Sequence, residues 1–273
     1  MNIFRAPFLF EKRAYMLIPI RDHNPSRQRP YVTYALLASN VVIFALYFPL
    51  FSDDYALMRF FHEWGMLPAR LSYGEGYATL ISHQFLHGDM LHLGANMLFL
   101  WIFGDNMEEV WGHWKFLIFY LVCGLAAAGL QYAAEPASMI PMVGASGAIA
   151  GVLGGYFLFY PRARVDMFLF LIIIFRVIPI PAWLVLGSWF VFQILGGLSV
   201  PVDAGGVAYW AHAGGFVAGI ILCVPLWLRM GGRKYWARCH GHPPHAEAQY
   251  RFVKSDIPKA GRKSRFRPSP WRR

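Results

Sequence analysis

The stretch Gly144–Ala145–Ser146–Gly147–Ala148–Ile149–Ala150–Gly151–Val152–Leu153–Gly154–Gly155 sets one serine at the head of an apolar run of mostly small residues. Gly147, Gly151 and Gly155 recur at every fourth position and leave one helix face almost bare, so that in a bilayer a second helix can approach backbone to backbone. A matching face exists downstream, where Ala211, Gly215 and Gly219 repeat the spacing and His212 stands beside the first of them. Taken singly, a serine in a membrane helix usually bonds back to its own backbone, and a histidine is often a satisfied core residue. Two smooth faces, each headed by a reactive group, predict instead a nucleophile and its base on packed helices.

Composition supplies the solvent for that pair. The chain has 273 residues, 57% hydrophobic and only 15% charged, and its apolar residues come in long runs. A soluble domain carries nearer a quarter charged residues, and a hydrocarbon core about 30 Å thick asks for about 20 apolar residues per helix. The reading is an all-α polytopic membrane protein. A net charge of +10 could suggest nucleic acid, but the basic residues flank the apolar runs, which argues for topology instead. Cys123, Cys223 and Cys239 stand far apart and spell neither a disulfide framework nor a paired-thiol metal motif. The apolar start is broken by Glu11, Lys12 and Arg13, too early for a signal peptide.

Three regions follow. Residues 1–29 form a basic arm ending in turn-rich sequence up to Pro30, residues 30–229 hold six spans, and residues 230–273 form a basic tail expected to be disordered. The spans are read at about Tyr31–Leu50, Met90–Phe103, Trp114–Ala134, Gly144–Tyr160, Ala182–Leu198 and Val207–Leu228. Residues 51–80 and the run Val165–Arg176 are assigned to the membrane surface, and Gly104–Glu109 to a polar turn. The tail from Arg229 on holds 13 Lys and Arg and the amino-terminal arm six, against only Arg59 and Arg70 on the opposite side. That asymmetry predicts both termini in the cytosol, in the inner membrane if the source is bacterial.

With this topology Ser146 and His212 both lie within the first two turns of spans that enter from the outer face, at roughly equal depth. The second span adds His92 and Asn96, stacked at i and i+4. His212 can then take the Ser146 proton, while Asn96, His92 and the Ser146 backbone N–H stabilise the oxyanion of an acyl-transfer intermediate. No carboxylate sits at that depth, so the expectation is a dyad without a third acidic member.

These residues resemble the rhomboid intramembrane serine proteases. Gly144–Ala145–Ser146–Gly147 matches the family's Gly-x-Ser-Gly, Ala211–His212 with Gly215 and Gly219 matches its Ala-His-x-x-Gly-x-x-x-Gly, and His92 with Asn96 matches its His-x-x-x-Asn. The turn Gly104–Asp105–Asn106–Met107–Glu108 with Gly112 also resembles the family's loop after the second helix, and the likeness covers about residues 16–229. It implies a six-helix rhomboid-like bundle, Ser146 as nucleophile, His212 as general base, and His92 and Asn96 as oxyanion donors. Two positions depart from the pattern. The residue four after the nucleophile, aromatic in some members, is Ala150, so another residue must orient His212; and the Trp-Arg pair of the first outer loop is missing.

The function expected is an intramembrane endopeptidase that cuts single-span membrane proteins near their outer boundary, without a metal or other cofactor and with the lipid bilayer as its other partner. Substrate entry is expected beside the fifth span, with Trp189, Phe190 and Phe192 as a gate and the Ser199–Gly206 loop as a lid. The rivals are a non-catalytic relative that binds membrane-protein clients, against which both Ser146 and His212 speak, and a transporter, for which charged spans or an internal repeat would be needed. Cys239, His240, His242 and His245 have metal-ligand types without a zinc spacing, and His83 and His87 are read as holding the outer loop.

Overall fold

The computed structural model describes residues 15–171, 174–201, 206–243, 246 and 248. Strand β1 (Tyr15–Asp22) opens it, followed by helix α1 (Tyr31–Tyr47), which runs on into a short 3-10 turn at Phe48–Ser52. Three short helices come next, α2 (Asp54–Trp64), α3 (Pro68–Ser72) and α4 (Thr79–Ser82), which are too short to cross a bilayer. Then come α5 (Met90–Trp111), α6 (His113–Ala134), α7 (Ser146–Phe159), the hairpin β2 (Arg164–Leu171) and β3 (Ile174–Pro181), α8 (Ala182–Ser199), α9 (Tyr209–Arg229) and α10 (Arg233–Cys239). Among the described residues, α1 with its 3-10 extension, α6, α8 and α9 are long and apolar enough to span a membrane.

Helix α7 sits at the centre. Every residue from Gly147 to Tyr156 is buried, so this helix meets protein on all sides and not lipid. Its 14 residues rise only about 21 Å. A helix that short, centred among longer ones, leaves its first residue inside the thickness of the membrane. The glycine faces close the packing as the spacing predicts. A Cβ on Gly215 would run into the Gly147 carbonyl, one on Gly219 into the Gly151 carbonyl, and one on Gly154 into the Phe216 carbonyl. Helices α7 and α9 therefore meet along their backbones.

Three sequence readings are corrected. Gly104–Glu109 is not a turn: α5 continues through it to Trp111 and stops only at Gly112, whose φ of 72° suits glycine. The reason is Glu108, which is buried and accepts from the Val32 and Thr33 backbone N–H groups and from the Thr33 hydroxyl at 2.7–2.9 Å. It supplies the cap that α1 lacks, since α1 begins after Pro30 with no side-chain cap of its own.

The second correction concerns the amino-terminal arm and the surface run. Residues 15–22 and 164–181 form an antiparallel three-stranded sheet in the order β1-β2-β3. Prolines occupy the two edge strands, at Pro19 where the β1–β2 register shifts and at Pro179 and Pro181, where a missing N–H is tolerated. Central strand β2 buries Val165, Asp166 and Met167 in succession, so no alternation marks it as a strand. Asp166 accepts from Arg21 Nε at 2.7 Å and hydrogen-bonds His23 Nε2 at 2.8 Å, tying β1 to β2. Third, the start of the tail is ordered: α10 packs back on the bundle, with the Trp236 indole donating to the Leu158 carbonyl. The rest of the tail, Ala246 and Ala248 apart, lies outside the described residues from 244 on.

Candidate active site

Ser146 is the first residue of α7, and the backbone leading into it is held from the side. Met66 and Met142 exchange backbone hydrogen bonds, and the Gly144 N–H donates to the His83 carbonyl at 2.9 Å. His83 is itself fastened, its Nδ1 2.7 Å from the Thr79 carbonyl, and burial pushes its pKa down to about 4, keeping the ring neutral. The His87 backbone is clamped by the Tyr47 hydroxyl, which both donates to its carbonyl and accepts from its N–H. The His83 ring and the His87 backbone are thus fixed in the segment that precedes α5, and no group of three metal-ligating side chains occurs among the described residues.

From α9, His212 reaches across so that its Nε2 lies 2.8 Å from Ser146 Oγ. That is hydrogen-bond distance between a hydroxyl and an imidazole nitrogen. Gly144, at φ 136°, is the close neighbour of this contact. A side chain there would approach the His92 Nε2 to 3.0 Å and Ser146 Oγ to 3.3 Å, so the glycine keeps open a space bounded by both. His92 Nδ1 accepts from the Gly88 N–H at 3.4 Å, which leaves Nε2 as the protonated nitrogen facing that space. Asn96, one turn deeper on α5, is buried, and its Nδ2 has no partner among the described residues. A buried, unpaired amide donor is costly unless something else accepts from it. The start of α7, which carries no side-chain cap, adds unpaired backbone N–H groups. Ser146, His212 and His92 are thus gathered at one end of the bundle, opposite the sheet, with Asn96 one turn further along α5.

The model of the Rhomboid domain matches residues 74–229, more than half of the chain. The chain belongs to the rhomboid family. Among curated relatives, the rhomboid is 31% identical over 229 residues to "Rhomboid protein 1, mitochondrial" of Saccharomyces cerevisiae, covering 80% of this chain and 58% of that one. It is 32% identical over 160 residues to "RHOMBOID-like protein 4" of Arabidopsis thaliana, covering 57% of this chain and 35% of the relative. It is 36% identical over 84 residues to "Rhomboid protease GluP" of Bacillus subtilis, covering 31% and 16%. The matched stretches thus span little more than half of these relatives, or less. Membership makes this rhomboid an integral, multi-pass membrane protein.

The three aromatics of the expected gate occupy different places. Trp189 lies against the His212 ring, centroids 5.7 Å apart at 33°, and Phe190 stacks on Phe216 at 4.6 Å. Phe192 points away from the bundle and is 66% exposed. Residues 202–205 of the expected lid lie outside the described residues. One site residue escaped the sequence reading: Gln193 on α8, whose Oε1 is 2.8 Å from His212 Nδ1. Its signal was available, as the one amide in an otherwise apolar span.

Proposed function

We propose that this rhomboid is an intramembrane serine endopeptidase that uses Ser146 and His212 to cut single-span membrane proteins. The observation that carries the reading is the 2.8 Å contact between Ser146 Oγ and His212 Nε2, with His92 bordering the same space. Ser146 Oγ attacks the scissile carbonyl while His212 Nε2 takes its proton. The oxyanion accepts from Asn96 Nδ2, His92 Nε2–H and the Ser146 backbone N–H. His212 then hands its proton to the departing amine, leaving an acyl-serine, and a water deprotonated by the same nitrogen releases the acid. GluP, named as a protease, supports the assignment by kinship.

The distribution of Lys and Arg supports a sheet end in the cytosol and a site end at the outer face. A peptide bond in a regular transmembrane helix has its carbonyl occupied, so a substrate must unwind there before it can be cut. Substrates with small residues at the scissile bond and Gly, Pro or polar residues just inside it satisfy that demand. Phe192 on the lipid side of α8 is the gate residue best placed to meet an entering helix.

The test presents tagged single-span proteins in liposomes to the wild type and to Ser146→Ala. Cleavage near the outer boundary by the wild type alone supports the reading. Co-purification of uncut clients with both would favour a client-binding rhomboid instead. Phe192→Ala should speed cleavage of a transmembrane substrate more than that of a short soluble peptide, and equal effects would remove it from the gate.

A further inference from the structure

Whatever orients His212 has to come from outside α7, because the position one turn after Ser146 is Ala150. Two groups reach the imidazole from α8. The Trp189 ring leans on its face, and the Gln193 side-chain carbonyl meets its Nδ1 at 2.8 Å. Gln193 is only 7% exposed, and its amide has one possible orientation, since Nε2 donates to the Trp189 carbonyl at 3.2 Å. The oxygen is thereby aimed at His212.

An amide oxygen can only accept, so His212 Nδ1 must carry the proton. The lone pair is then left on Nε2, where Ser146 Oγ–H can donate. We propose that Gln193 is the positioning residue of this site, an uncharged third member that fixes the His212 tautomer and ring plane; this rests on the protease reading above. Its neutrality suits its location. A carboxylate within a membrane helix is costly to insert, whereas an amide supplies the same acceptor without that charge. When His212 takes the serine proton, its Nδ1–H bond to Gln193 becomes charge-assisted and strengthens at the moment it is needed.

Gln193→Leu and Gln193→Glu separate positioning from packing. Leu keeps the bulk and removes the acceptor. It should lower kcat, and the rate of fluorophosphonate labelling at Ser146, about 10²-fold with KM for a soluble peptide unchanged; the loss of about 10⁴ seen when a triad acid is replaced by its amide, which leaves the wrong tautomer, is its upper bound. Glu keeps the acceptor and adds charge, so it should restore most of the rate at alkaline pH while moving the acid limb of the rate profile upward. The other titratable ring coupled electrostatically to His212 is His92 of α5, which is the same in all three proteins. A Leu variant with wild-type kcat, or Leu and Glu equally slow with the acid limb unmoved, would overturn the proposal.

A readout that needs no turnover distinguishes this failure from failure of the protease reading. The ¹⁵N shifts of the His212 ring should report a proton on Nδ1 in the wild type and a tautomer mixture in Gln193→Leu. Identical spectra would refute the role of Gln193 even if the protein proved inactive, and the expected change would support it even then.

Discussion

Helices α7 and α8 both touch the site, yet they are held in different ways. Helix α7 is buried from Gly147 to Tyr156 and meets α9 through glycines that leave no room for a methyl group. Helix α8 buries only Ala182, Leu186 and Gln193 and exposes Trp183, Leu184, Val191, Phe192, Leu195 and Leu198. Ser146 and His212 belong to the tight pair, whereas Trp189 and Gln193, which touch His212, ride on the loose helix. On the proposed mechanism the reacting groups would thus be placed by backbone contact, which does not give, and their orientation set by a helix that is far less buried. A helix displaced by substrate and then returning would bring the orienting amide back with it.

The first way to test this division is to strike the tight pair. Ser146→Ala and His212→Ala should each reduce cleavage by about 10⁴ or more, with fluorophosphonate labelling lost, as for other nucleophile–base pairs. Labelling at any other residue would sink the assignment. Asn96→Ala should lower turnover by about 10²–10³ while the protein stays folded, the usual loss for one oxyanion donor among several; a wild-type rate would remove Asn96 from the site.

A single methyl group compares the two helices directly. Gly219→Ala drives a Cβ into the Gly151 carbonyl and should cost about 3 kcal/mol in detergent unfolding. At Gly187 on α8 the same methyl lies 3.6 Å from Phe157, an ordinary contact, so Gly187→Ala should change stability by less than about 0.5 kcal/mol. Equal losses would mean that α8 is packed as rigidly as α7.

The smallest effect concerns the far end of α7. Tyr156 donates to an oxygen of the Asp22 carboxyl group at 2.7 Å, tying the central helix to β1. Burial, reinforced by the nearby Asp105 and opposed by the Tyr156 bond, raises the Asp22 pKa to about 8. Below about pH 4 the group is protonated folded or unfolded, and its contribution is complete. As pH rises toward 8 the unfolded chain ionises first, so stability falls across that window and levels off above it. Unfolding measured from pH 4 to 9 should show this slope in the wild type and a flatter one in Asp22→Asn; parallel curves would show that Asp22 does not titrate in this way.

Much of this site was legible in the sequence because membrane packing writes itself in small residues. The glycine spacing named α7 and α9, and the motifs named Ser146 and His212, which the fold brings to hydrogen-bond distance, and His92, which borders the same space. Gln193 was missed because one amide in an apolar run carries no period, and its meaning lies in a partner 19 residues away on another helix. The sheet was missed for a related reason. Strand β2 is buried at Val165, Asp166 and Met167 in succession, so its start reads like any buried segment, and β1 pairs with residues far along the chain. Glu108 was read as turn chemistry because its acceptor role belongs to a helix start 75 residues earlier.

That remote pairing of β1 bears on how the chain assembles. Arg21 and Asp166, which join across the first two strands, are 145 positions apart, and the α1–α7 segment lies between them. Ribosomes add about 5–20 residues per second, so β1 waits roughly 7–30 s for its neighbour to be made. During that interval its backbone N–H and C=O groups on that side have no ladder to join. The amino-terminal strand is then both the earliest part of the described chain to be synthesised and among the latest to find its place, joining Tyr156 of α7 through Asp22 only after the central helix has been made.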